Sequence, residues 1–173
     1  MLKMFTTQLN GLFQRITDKE ADQIEDGARL LAQAVVGEGR IYIKGLQEMK
    51  AVEAEAVSGA DSLSCIQAFD SVGDITQSDR VLLVSRFAHD SEALTAAAAL
   101  EERGVPFVAV AGLASEEKDS LHELADVFID TKVTKGLLPS ENGGRTGFPS
   151  SLAALYIYFA LKLTIDEILQ EQD

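Results

Sequence analysis

A chain of 173 residues with 46% hydrophobic and 25% charged residues has the size and composition of one globular domain with a full core. Its formal net charge of −13 excludes a nucleic-acid or membrane partner, since both need a basic face, but not an anionic small molecule held by a local positive field. One cysteine excludes an internal disulfide, the N-terminal segment lacks a secretory pattern, and the most apolar run, Leu152 to Leu163, is too short to span a bilayer, so the expected location is the cytoplasm.

In chain order, Phe5, Leu9, Leu12, Phe13 and Ile16 recur at helical spacing and predict an amphipathic helix. Thr17-Asp18-Lys19-Glu20 fits a capping box, so a second helix is expected to start there, with Ile24, Ala28, Leu31, Ala32 and Val35 inward. Residues 40–44 (RIYIK) read as the first strand, and Gly45 turns the chain. Residues 48–57 read as a short helix and 64–69 as a weaker second strand. Val81 to Val84 and Val108 to Val110 are apolar runs too short for helices, which suits strands buried on both faces of a parallel sheet. Between them, residues 91–103 are rich in Ala, Leu and Glu, and Gly104 stops them as a C′ glycine would, completing a right-handed βαβ unit. Residues 115–124 predict a charged helix and VFID, 127–130, the last strand. A loop over 131–148 then leads into a final helix from about Pro149.

Five strands alternating with helices define an α/β class: a doubly wound, open five-stranded parallel sheet of flavodoxin-like type in one domain. Residues 1–36 supply N-terminal helices, 40–130 the sheet core, 131–148 a loop and 149–171 the last helix. That helix carries Leu152, Leu155, Tyr156, Phe159 and Leu163 on one face and further apolar residues elsewhere, so it is expected to meet both the sheet and a second subunit in a two-fold homodimer.

Ligands of such folds sit at the carboxyl ends of the strands, which singles out three loops. The Gly45 turn would present backbone N–H groups to an anion, with Lys44 attracting it; an ordinary βα turn with a snorkelling lysine explains the same residues. In the loop 85–91, Ser85 ends a strand, Arg86 supplies an anion-binding fork, His89 is an acid/base near neutral pH, and Asp90 or Ser91 can cap the next helix. The bland reading has Asp90 and Ser91 only capping, with Arg86 and His89 solvated. The loop 131–148 gathers Lys132, Lys135 and Arg145 against Glu141, is glycine-rich, and ends at Ser150 and Ser151 on a helix start, which suits a phosphate or else a mobile or dimer-spanning segment. His122 is expected to face solvent and Cys65 to be a small core hydrophobe. Two histidines and one cysteine make a zinc site unexpected, and neither a dinucleotide pattern, a Walker pattern nor a nucleophile elbow is present, so no cofactor is expected.

With GRIYIKG, DRVLLVS, RGVPFVAVAG and ADVFIDT in order, then a Glu-containing loop and an apolar final helix, the chain resembles the SIS (sugar isomerase) family of phosphosugar-binding domains over most of its length. In size and single-domain layout it is similar to the phosphoheptose isomerases of that family, within a SIS-like branch of Bacillus-type bacteria. The resemblance implies a homodimer or tetramer that holds a sugar phosphate in a Ser-x-Ser-Gly-x-Thr/Ser loop. Ser85 matches the first serine, while Phe87, Ala88 and Asp90 replace the second serine, the glycine and the final hydroxyl, with Ser91 one place later. Gln47 and Glu48 stand where the family's first turn has Gly-x-Ser. The helix histidine of phosphoheptose isomerases has no counterpart in FPSSLAALYIYFALKL. The acid/base residues the resemblance implies are Glu141, then His89 and Glu48; the ligand-binding residues are Lys44, Gly45, Ser85, Arg86, Ser91, Arg145 and Ser150. The expected function is binding of a phosphorylated sugar or similar anionic carbohydrate derivative, with aldose–ketose isomerisation left open. The alternative is a non-catalytic dimeric regulatory or protein-interaction module that has lost this site.

Overall fold

Strands whose side chains are apolar on both faces need helices on both faces, and the arrangement follows that demand. The computed structural model describes residues 1–114 and 118–171. Its strands β1 (Ile41–Gly45), β2 (Ile66–Ala68), β3 (Arg80–Phe87), β4 (Phe107–Gly112) and β5 (Val127–Asp130) form one sheet in the order β2-β1-β3-β4-β5. All pairings are parallel: Ile41 lies opposite Ile66 and Arg80, Val81 opposite Phe107, and Val108 opposite Val127. This is the flavodoxin-like sheet expected from the alternation of elements.

The helices are α1 (Leu2–Val36), α2 (Lys50–Ser58), α3 (Ser91–Glu102), α4 (Leu121–Leu124) and α5 (Ser150–Gln170). Ile41, Ile43, Leu82, Val84, Val108, Val110 and Ile129 point to one side of the sheet, into a core shared with α1, α2 and α5. The alternate residues Tyr42, Val81, Leu83, Phe107, Ala109 and Phe128 point to the other, where α3 supplies Ala93, Ala97 and Leu100 and α4 supplies Leu121. Among the described residues no helix is long and apolar enough to cross a membrane.

Four expectations are corrected. The two N-terminal helices are one, because Leu12, Ile16, Ile24, Ala28 and Leu31 form a single buried stripe at helical period. Thr17 makes no cap; its hydroxyl donates to the Phe13 carbonyl one turn back. Of the expected helix over 115–124, residues 115–117 lie outside the described residues and the described part is the single turn α4, begun after Asp119 at φ 59. Cys65 is exposed, at φ 65, just before the edge strand β2 rather than in the core. The loop over 131–148 contains a small antiparallel hairpin, β6 (Leu138–Pro139) with β7 (Arg145–Thr146), closed by a turn in which Gly143 takes φ 77.

Gly45 ends β1 where the backbone of the next turn passes so close that an added Cβ would lie 2.2 Å from the Met49 carbonyl oxygen. Gly144, in the hairpin turn, has nothing within 4 Å. Gly45→Ala should therefore cost about 2 kcal/mol or more in urea unfolding, whereas Gly144→Ala should stay within about 0.5 kcal/mol of the parent.

Candidate functional site

The strand order reverses between β1 and β3, since β1 leads outward to β2 and β3 to β4. Crevices of open α/β sheets form at that point, beyond the carboxyl ends of the two strands. There β3 carries an irregularity: its register with β4 passes from Val84 opposite Val110 to Phe87 opposite Gly112, so β3 spends one residue more than its partner. The extra length falls on Ser85 and Arg86, and a bulge of this kind re-aims side chains. Ser85 is buried (0% exposed), while the Arg86 side chain reaches the surface at 39% exposure.

Arg86 meets Glu48, on the 3-10 turn Gln47–Met49 that follows β1. Its Nε donates to Glu48 Oε1 at 2.7 Å and its Nη2 to Oε2 at 2.6 Å, a bidentate fork. Ser150, at the start of α5, donates its hydroxyl to Glu48 Oε1 at 2.7 Å. One carboxylate thus joins the end of β3, the turn after β1 and the last helix. The Arg86 hydrogen bonds, helped by Ser150 and opposed by burial, pull the Glu48 carboxyl down to about 2. Arg86 is correspondingly raised by Glu48. A carboxylate held so low is a weak proton acceptor near neutral pH.

A second contact closes the loop itself. Ser85 Oγ donates to Asp90 Oδ2 at 2.7 Å, and the Phe87 N–H donates to the same oxygen at 3.0 Å. Asp90 occupies the N-cap position of α3 but makes no side-chain cap bond there; its carboxylate reaches back to β3 instead. The Phe87 ring stacks on His89 at 5.4 Å and meets Phe148 edge-on at 5.9 Å, which forms an aromatic rim beside Ser150.

The remaining candidates are placed as follows. Lys44 Nζ donates to the Asp70 carbonyl at 3.2 Å and lies 5.5 Å over the Phe69 ring. The Gly45 N–H donates to Glu53 Oε2 at 2.9 Å, so α2 supplies the anion for that turn. Ser91 is exposed on the first turn of α3, where its carbonyl accepts from Thr95. Arg145 Nε and Nη2 donate to the carbonyls of Gly136 and Leu137 at 2.6 and 2.8 Å, bracing the hairpin whose exposed turn carries Glu141. Lys132 is paired with Glu20 and Asp130 at 2.6 and 3.1 Å, at the far end of β5. The structure therefore gathers Glu48, Arg86 and Ser150 in one set and Ser85 with Asp90 in another. It puts Lys44, Lys132, Arg145 and Glu141 to either side. The partners that residue types did not reveal, Asp90, Glu53 and Phe148, meet their targets through tertiary approach; only Asp90, five residues after Ser85, stood inside a loop already singled out.

A doubly wound parallel sheet with an anion-competent arginine and serines at its switch point defines a SIS-fold domain. The chain matches the family described as "Domain of unknown function (DUF2529)" over residues 1–169 and belongs to it. It is 45% identical over 172 residues to the "Uncharacterized protein YwjG" of Bacillus subtilis (strain 168), covering 99% of each. Among solved structures it is similar to E. coli CFT073 c3406 in complex with a phosphosugar, at TM-score 0.76 and 16% identity, over 98% of this chain and 89% of that one. It is also similar to phosphoheptose isomerase GmhA from Neisseria gonorrhoeae, at TM-score 0.65 and 14% identity, over 95% and 94%. At these identities the likeness establishes the fold.

Because the folded Glu48 carboxyl titrates near 2 against an ordinary 4.5, the pair stabilises fully above the ordinary value and is lost as pH falls from there toward 2. Glu48→Gln should shrink the drop in Tm between about pH 5 and pH 3 relative to the parent. An equal acid-side drop in both proteins, followed by circular dichroism, would remove Glu48 as its source.

Proposed function

We propose that this protein binds a phosphorylated sugar or a similar anionic carbohydrate derivative in the crevice between β1 and β3, in the cytoplasm, as a binding domain rather than an isomerase. The observation that carries the reading is the Glu48–Arg86–Ser150 set at the switch point. A guanidinium has five N–H donors and Glu48 takes two, which leaves three on a side chain 39% exposed. The ligand's anion would be read there and its hydroxyls by Glu48 and Ser150, with the Phe87 and Phe148 rings covering an apolar sugar face. The phosphosugar complex of c3406 supports this ligand class on this fold.

Aldose–ketose isomerisation needs an acid/base with a pKa near the working pH, and Glu48 is held far below that range. Turnover would fall to Glu141, on the exposed hairpin turn, or to His89, stacked on Phe87. The reading as a module without any small ligand is favoured by one observation, the filling of the Ser85 loop by Asp90.

A thermal-shift panel of sugar phosphates should give a selective rise in Tm by mass action, and Arg86→Lys, which loses the bidentate fork, should weaken the selected compound about tenfold. No shift with any compound puts the interaction-module reading in front. With the selected compound, proton NMR should show no aldose–ketose exchange; exchange that Glu141→Gln abolishes would make the protein an isomerase.

We also place a second copy of the chain on α5. Leu152, Tyr156, Phe159 and Leu163 follow one another at spacings of four, three and four residues, and Leu152 and Leu163 are 41% and 56% exposed. Beside this stripe, α1 and α5 border a groove of about 1230 Å³ lined by Ile24, Val36, Tyr156 and Ile168. Light scattering should give the dimer mass for the parent and the monomer mass for Leu163→Glu; a monomeric parent overturns the dimer.

A further inference from the structure

We propose that the Asp90 carboxylate is a built-in anion that closes the loop after β3 to phosphate and so sets which anions the crevice accepts, reserving the ligand's anionic group for Arg86. The inference rests on the crevice reading given above. The loop has two donors aimed at one point. Ser85, 0% exposed, has a single hydroxyl hydrogen, and it goes to Asp90 Oδ2 at 2.7 Å. Phe87 has a single backbone hydrogen, and it goes to the same oxygen at 3.0 Å. A phosphate oxygen gains either bond only when Asp90 leaves. While Asp90 stays, its negative charge repels a dianion brought to the same place.

Three further features hold Asp90 in position. It sits at the N-cap of α3, a helix of 12 residues whose first turn favours negative charge. The backbone of the loop is fixed from outside, with the Ala88 N–H donating to the Gly112 carbonyl at 2.9 Å and the Ala88 carbonyl accepting from the Leu121 N–H at 2.8 Å. Arg86 lies close enough to Asp90 for the carboxylate to help keep the guanidinium charged. Asp90 therefore turns an anion cradle into an internal brace, and Arg86, beyond the brace, is the cation a ligand reaches.

The consequence is a change of specificity that one residue controls. Asp90→Ser removes the internal anion and leaves the hydroxyl of Ser85 and the N–H of Phe87 open to an external one. Inorganic phosphate, titrated by calorimetry and by thermal shift, should bind Asp90→Ser at least tenfold more tightly than the parent. The gain should persist in Asp90→Ser combined with Arg86→Lys, because the cradle does not use Arg86. Asp90→Asn keeps an acceptor for both donors and removes the charge, so it covers the case in which the serine variant fails to fold; it should bind phosphate at least threefold more tightly than the parent. A folded Asp90→Ser, or Asp90→Asn where the serine variant does not fold, with parental phosphate affinity overturns the proposal. If the parent then still binds a sugar phosphate in an Arg86-dependent way, the crevice reading stands without it. If the parent binds none, both fall. A gain that disappears with Arg86→Lys also overturns the proposal, since the new anion would then sit on Arg86 rather than in the loop.

Discussion

A parallel sheet buried on both faces leaves only its strand ends open to solvent, and that constraint organises the rest of this molecule. The apolar residues of β1, β3 and β4 are consumed by helices on either side. Polar side chains that the chain places among these strands have to find partners inside the protein, because an unpaired buried polar group is costly. Ser85 is the clearest case: fully buried in β3, it gives its hydroxyl hydrogen to Asp90. Glu48 is the second, taking three hydrogen bonds from Arg86 and Ser150 and drawing the turn after β1, the end of β3 and the start of α5 together.

The same economy governs charge. Although the chain carries a formal charge of −13, the cations around the sheet ends are individually committed. Arg86 faces Glu48, Lys132 faces Glu20 and Asp130, Arg145 braces two carbonyls, and Lys44 holds the Asp70 carbonyl. A local positive field of the kind an anion needs is therefore not a property of these loops at large. It is confined to the side chain with donors to spare at the surface, Arg86. Removing one member of a partly buried pair such as Lys132–Glu20 leaves the other uncompensated, which is why such sets behave as structural units.

The fold shared with c3406 and GmhA is a scaffold, and scaffolds of this kind host different chemistry in their loops. Here the differences concentrate in two places. The loop after β3 has a ring, a methyl and a carboxylate where the resemblance puts hydroxyls and a glycine, and the carboxylate is the piece that makes the loop self-sufficient. The turn after β1 has Glu48, and the same position that removes a hydroxyl supplies the counter-ion for Arg86. The two substitutions are physically linked, since Glu48 and Asp90 both lie against Arg86 and both favour its charged form.

The amino-acid pattern alone was enough for the class of the fold. Unbroken apolar runs of four or so residues, separated by an Ala- and Leu-rich stretch ending in glycine, have few solutions other than a βαβ unit, and VFID ends its strand where the pattern said. It also pointed to the right loops, because position at a strand end follows from the order of elements. What those loops do was settled by packing. Whether Thr17 caps a new helix or lies inside an old one depended on a buried stripe that runs through it to Leu31. Whether Asp90 caps α3 or fills the space beside Ser85 depended on an extra residue in β3 that the register with β4 creates. Arg86 and Ser150 lie 38 and 102 positions from their common partner Glu48, and no local pattern encodes that meeting. Periodicity records which face a residue turns inward; which partner it finds there is fixed only when the elements pack.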